Sequence, residues 1–429
     1  MIRLRGAVSV SVLLAGAGFL ACLAAGRAAA ETTAIVNATA WTLTSDAPVR
    51  DATIVITDGR IVSVASAGAA PPGAHVMDAA GKPVTPGLMQ AATQLGLVEV
   101  SAATETVDSS AKSGVPGPAF DVQYAVNANS AMVQLARADG LTRALTHPTG
   151  SGVVPFAGQG VLLHLFESGD IVERPGTGVF VTIGGRSAKA SVGSRAAQWQ
   201  MLRAALDTAK SNLAATATAT NRPAETLALQ PVLAGKTPLA IATERASDLR
   251  QAAKLARDYG IRIVIVGGAE AWMVAQDLAA AKVAVIVDPF ANLPASFDAI
   301  GARLDNAALL RRAGVTVALH LSSVQTYNAG SSLREGAGLA VANGLPYVEG
   351  LRSIMSAPAR IWGVADRQGT LEPGKDGDLV IWDGDPLEPS TLVTAVLIQG
   401  RPVSLVTHQT ALRDRYLPMI KAIAAENSK

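Results

Sequence analysis

Short apolar runs recur through the middle of the chain, and each is followed by a stretch of helical pattern. Residues 238–243 (PLAIAT) precede a helix predicted from near Ser247. Residues 262–268 (RIVIVGG) precede a helix over 270–281, and residues 283–289 (VAVIVDP) precede one over 298–313. Residues 316–322 (TVALHLS) form the last run. Continuous apolar runs without alternation are the signature of strands buried on both faces. Their regular spacing by helices gives the βαβ pattern of a parallel sheet. The flanks read differently. Thr53–Thr57 and Arg60–Ala65 surround Asp58-Gly59, a two-residue hairpin turn in which Gly supplies positive φ. Residues 378–383 and 395–398, the latter closed by Gln399-Gly400, read as further strands. Helices are expected over 195–220 and 409–426. Residues 101–119, rich in Ser, Thr, Ala, Gly and Pro, are expected to be a long loop over one end of the sheet. The fold class is therefore α/β.

The start of the chain belongs to a different category. Arg3 and Arg5, an apolar run from Val8 to Leu20, and Ala28-Ala29-Ala30 make residues 1–30 a secretory signal. The apolar run is short for a membrane span. A lipoprotein reading on Cys22 is weakened by Phe19 and by the apolar residues that follow the Cys. The expected localisation is exported, periplasmic or extracellular, with no transmembrane span in the mature chain. Cys22 is the single Cys, so the mature protein has neither a disulfide nor a thiolate nucleophile. Its 429 residues, 49% of them hydrophobic, suffice for a large core and a second small domain without staples. Cleavage removes Arg3, Arg5 and Arg27 from 36 basic residues, leaving 33 against 34 acidic ones. Such a balance does not point to nucleic acid.

Specific motifs sharpen the picture. Pro86-Gly87-Leu88-Met89-Gln90 is followed by Ala92 and Gln94. Residues 344–352 (GLPYVEGLR), 357–364 (APARIWGV) and 369–386 (GTLEPGKDGDLVIWDGDP) complete a set that resembles the amidohydrolase superfamily, in its imidazolonepropionase-like and prolidase-like branch. The resemblance implies a (β/α)8 TIM barrel over 87–364, with its active site at the C-terminal strand ends. It also implies a small composite β-sandwich domain built from 31–86 plus 365–408, and leaves 409–429 as a C-terminal helix.

The same resemblance exposes a loss. Family members hold zinc or another divalent metal with a His-x-His pair on the first strand, a Lys or Glu, two further His, and an Asp after the last strand. Here the positions carry Ala92, Gln94, Ala242, Gly267 and Ser322. Alanine and glycine offer no ligand atom, and a neutral amide is a poor zinc ligand. Lys236 is the nearest candidate for the fourth-strand ligand but falls before the fifth strand. Of five His, His75 and His408 lie in the flanks, while His147, His164 and His320 lie in the barrel without metal-ligand spacing. No metal or other cofactor is expected, and no nucleophile motif opens a helix after a strand. Gln94, Arg245, Glu270 and His320 are the candidates for gripping a polar ligand, with Arg245 and Glu270 as a carboxylate-and-guanidinium pair and Asp288 near a strand end. By resemblance the chain is a hydrolase of non-peptide carbon–nitrogen bonds. The residues themselves point to a non-catalytic protein that binds a small molecule, with a homodimer or an active amidohydrolase relative as the macromolecular partner considered. The alternative is an active amidohydrolase or dipeptidase-like enzyme with an unusual metal site.

Overall fold

The computed structural model describes residues 31–112, 117–215, 222–321 and 330–427. The expected signal segment 1–30 and Ser322 lie outside the described residues.

The chain begins with strands β1 (Thr32–Ala40), β2 (Val49–Thr57), β3 (Arg60–Ser66), β4 (His75–Asp78) and β5 (Pro83–Pro86). It continues through β6 (Leu88–Thr93), β7 (Leu141–Thr146), β8 (Phe156–His164), β9 (Val172–Thr182), β10 (Leu239–Thr243), β11 (Ile263–Gly267), β12 (Ala284–Val287) and β13 (Val317–Leu319). It returns with β14 (Leu379–Trp382), β15 (Val393–Ile398) and β16 (Arg401–Pro402). The two flanks share one eight-stranded sheet in the order β16-β15-β14-β5-β1-β2-β3, with β4 beside β1. Strand β5 is the joint, because it pairs in parallel with β1 and antiparallel with β14. Asp58 (φ 49°) and Gly59 (φ 78°) turn β2 into β3 as expected.

The central eight strands run in sequence order from β6 to β13, and the two edge strands approach each other to nearly close a barrel. One strand departs from the (β/α)8 pattern. Strand β8 is antiparallel to both β7 and β9, so the chain meanders there without an intervening helix. Elsewhere the alternation holds. The helix Ala246–Tyr259 buries Leu249, Ala252, Ala253 and Ala256, a stripe at helical spacing, against the barrel. It stops at Gly260, whose φ of 65° only a Gly adopts without strain. The helix expected over 298–313 is confined to Asn306–Arg312, and the preceding residues form a loop over the C-terminal strand ends.

Small residues line the barrel interior and large rings fill it. Ala91, Ala92, Ala157, Ala240 and Ala318 are buried there with Phe180 and Trp362. Trp362 donates its indole N–H to the Ala91 carbonyl at 2.8 Å. Its ring lies 5.8 Å from that of Phe180, which stacks in turn on His147 at 4.4 Å. Gly178 leaves room for this column, since a Cβ there would come within 2.8 Å of the Trp362 ring. No described helix is long and apolar enough to cross a membrane.

Candidate functional site

A cavity of about 500 Å³ opens at the C-terminal ends of β10, β11 and β12. Ala242, Glu244, Gly267, Asp288, Phe290 and His320 line it, together with part of the loop after β12. Asp298 anchors that loop, accepting from the Gly185 amide at 2.6 Å and pairing with Arg195.

Gly267 and Glu244 meet at the cavity floor. Gly267 closes β11 at φ 97°, and a Cβ there would land on the Glu244 carboxylate. Glu244 accepts from the Ala269 amide at 2.8 Å. Burial raises its pKa, and the charges of Asp288 and Asp298 push the same way against the backbone hydrogen bonds. Asp288 accepts from the Phe290 amide at 2.9 Å. His320 is buried, and its Nε2 has no hydrogen-bond partner among the described residues. Burial drives its pKa down to about 4 despite the opposing charge of Asp288, so the ring is neutral at pH 7.

His147 follows β7 and is held at both nitrogens. Its Nδ1 donates to the Pro148 carbonyl at 2.9 Å, which leaves Nε2 as an acceptor facing Gln94 Nε2 at 3.3 Å. Burial, opposed by the Pro148 hydrogen bond and helped by the nearby His320, takes its pKa to about 4.

Ala242, Gly267 and His320 line one cavity. Gln94 sits beside His147, and Ala92 is buried in the barrel interior. Arg245 and Glu270 do not form the expected clamp. Arg245 pairs with Asp248 at 3.1 Å beside the start of the helix it precedes. Glu270 accepts from the Ala246 and Gly301 amides at 2.9 and 3.1 Å, a loop-fixing role. Neither lines the cavity. Glu244 was not singled out from sequence, although a carboxylate directly after a barrel strand is a usable signal.

A second polar cluster lies at the other end of the barrel, where β7 begins. The Arg143 guanidinium is fully buried and donates to Asp376 at 2.5 Å, to Asp378 and to Glu173 at 2.7 Å. His164, the last residue of β8, places Nε2 2.9 Å from Asp378 Oδ2. Burial alone would raise the Asp378 pKa, but Arg143 and His164 outweigh it and hold the carboxyl below the usual range. Asp376 and Asp378 come from the start of β14, so this network fastens the flanking sheet to the barrel. His164, Asp376 and Asp378 are also a group that could hold a metal ion, with one ligand atom from each lying within 4.8 Å of the others. One imidazole nitrogen and two carboxylate oxygens suit zinc or a similar divalent ion. The expectation of a chain without a metal is therefore corrected. The sequence conceals the group because its members are scattered over more than 200 residues and meet only across the barrel–sheet joint.

Ala92, Ala242 and Gly267, which the resemblance aligns with metal-ligand positions, carry no donor atom in their side chains. Ser322 lies outside the described residues.

Residues 188–404 match the model of a family described as the amidohydrolase family. A 57-residue segment is 42% identical to amidohydrolase tasK of Hapsidospora irregularis, covering 13% of this chain and 6% of that protein. The chain thus spans only a small part of that relative's length. An amidohydrolase from Thermotoga maritima MSB8 has a similar fold at a TM-score of 0.79 and 24% identity, over 87% of this chain and 99% of that one. A putative prolidase from Bifidobacterium longum is more distant, with a TM-score of 0.51 and 18% identity over 91% of this chain and 98% of its own. The matched family model, the nearly closed barrel and the composite sheet agree: the chain belongs to the amidohydrolase family.

Proposed function

We propose that this amidohydrolase-family protein binds a small molecule in the barrel mouth and does not hydrolyse it by the family's metal-centred route. The observation that carries the reading is the refilled floor. Where family members place metal ligands, Ala92 is packed into the interior and Gly267 is covered by the Glu244 carboxylate. A cavity of about 500 Å³ remains, within the range that accommodates small ligands. Hydrolysis of an unactivated amide needs an activated water and an electrostatic partner for the developing oxyanion. The cavity offers acids and a neutral imidazole, with no Lys or Arg lining it among the described residues.

A second reading, a hydrolase with an unusual metal set, draws on His164, Asp376 and Asp378. These residues would hold the ion, and a bound divalent ion would supply Lewis acidity. Their place argues for a structural role. Arg143 precedes the end of β7 by three residues, roughly 10 Å of strand, and His164, Asp376 and Asp378 are buried and do not line the mouth cavity.

The test is turnover of a panel of amides, dipeptides and cyclic imides, with and without added Zn²⁺ or Mn²⁺. The reading expects no turnover that depends on the mouth. Turnover abolished by Glu244→Gln or His320→Ala would overturn it.

A further inference from the structure

A second cleft, of about 930 Å³, lies on the outer side of the loop after β12, the loop that walls the mouth cavity. Its two sides come from distant parts of the chain. One is the short helix Gly185–Ala190 with the start of the helix Arg195–Ala215, and the other is residues 294–298 with Ile300. Asp298 ties the sides together, through the Gly185 amide at 2.6 Å and the Arg195 guanidinium. Gly185 is needed there, because a Cβ would run into that guanidinium. The lining is apolar on one side and cationic on the other. Phe297 is 91% exposed and Ile300 61% exposed, and both line the cleft with Pro294 and Ala295. Single exposed apolar side chains are ordinary, but these four share one concave surface. Arg186 and Lys189 stand on the facing helix, three residues apart and so on one side of it, and both are exposed. Neither side chain has a hydrogen-bond or ion-pair partner among the described residues. Three cations, Arg186, Lys189 and Arg195, thus face one carboxylate, that of Asp298, which Arg195 already matches.

We propose that this cleft binds a small amphiphilic anion, a carboxylate carried on a hydrocarbon body, at a site separate from the barrel mouth. The carboxylate would lie against Arg186 and Lys189, where the guanidinium can donate two parallel hydrogen bonds and the ammonium adds a point charge. The hydrocarbon would cover Phe297, Ile300 and Pro294 and take their apolar surface out of water. Each side of the cleft then has its counterpart on the ligand. An organic cation would meet unmatched like charges, a neutral alcohol would gain the apolar contacts alone, and a bare anion would gain the charges alone. The concave shape and the volume suit a small molecule. The inference does not depend on what the mouth binds.

Calorimetric titration of the full mature chain with octanoate tests this. Octan-1-ol carries the body alone, octylammonium the body with the opposite charge, and inorganic phosphate the anion alone. Octanoate is expected to bind saturably, at least tenfold tighter than each of the three. The double variant Arg186→Gln/Lys189→Gln should weaken octanoate at least tenfold and leave octanol unchanged. Phe297→Ser should weaken octanoate and octanol alike. All three side chains are exposed, so the variants should keep the wild-type melting temperature. No octanoate binding, or binding that neither variant weakens, would overturn the inference. Octanol binding as tightly as octanoate would remove the anion from it, and phosphate binding as tightly would remove the apolar body; either result overturns it. Octanoate binding that survives both variants and is lost in Ala242→Phe would place the anion in the mouth and sink the separate site.

Discussion

Replacing Gly267 with Ala should destabilise the protein by about 2.5–6 kcal/mol, and the reason can be dissected. Gly267 has φ 97°, where an L side chain is strained by about 1–3 kcal/mol. The new Cβ also occupies the position of the Glu244 carboxylate, which must leave the Ala269 amide it accepts from at 2.8 Å. A hydrogen bond to a charged group contributes about 1.5–3 kcal/mol, and that part is lost only while Glu244 is present. Urea denaturation of wild type, Gly267→Ala, Glu244→Ala and the double variant separates the two terms. The double variant should be more stable than additivity predicts by about 1–3 kcal/mol, because removing the carboxylate removes the clash. A Gly267→Ala variant within about 0.5 kcal/mol of wild type, or strict additivity with Glu244→Ala, would refute the claim that Glu244 fills the vacated sixth-strand position.

Three further outcomes are expected. Trp362→Ala should cost about 3–5 kcal/mol by emptying the aromatic column and orphaning the Ala91 carbonyl, read as a fall in urea midpoint; a loss below 1 kcal/mol would mean the column is not the barrel's packing centre. Arg143→Met should cost about 3–5 kcal/mol by leaving buried carboxylates unpaired, and excess Zn²⁺ should raise the melting temperature of that variant but not of Arg143→Met/His164→Ala; equal responses would remove His164, Asp376 and Asp378 as a metal-holding group. Stability should fall as pH drops from about 6.5 towards 4, because His147 and His320 stay neutral in the fold down to about pH 4 while the unfolded chain protonates them earlier and so binds more protons in that window. Glu244, whose pKa is raised, contributes with the opposite sign, so the difference between wild type and His320→Gln isolates the histidine share, on the order of 2–3 kcal/mol at most; a difference that does not change with pH would show that His320 titrates normally.

Local pattern made much of the architecture legible. The apolar runs at 239–243, 263–267, 284–287 and 317–319 are strands, and the Asp58-Gly59 turn is a hairpin, because buried parallel strands and positive-φ turns leave signatures within a few residues. What escaped was decided by contacts distant in sequence. Strand β8, which no apolar run announces, carries Gly158 and Gly160; Gly160 is there because the Phe180 ring lies against it. Residues 298–305 look helical in composition, yet Asp298 is drawn off to Gly185 and Arg195 and the segment stays a loop. The motif alone gave the expectation of lost ligands on the first strand. The Glu244 contact could not be read there, since Glu244 reaches across to Gly267 from the neighbouring strand end. The Arg143 network joins residues more than 230 positions apart and was invisible for the same reason.

The most direct test of the account is the chemical fate of a ligand bound at the mouth. A small-molecule amide, selected because it stabilises the wild-type chain and not Ala242→Phe, would be incubated with the protein and recovered for mass spectrometry. A mouth that binds without hydrolysing returns the compound at its original mass after many binding lifetimes. Recovery of the cleaved amine and acid, formed by wild type and not by Ala242→Phe, would contradict the account and restore the barrel mouth as a hydrolytic centre.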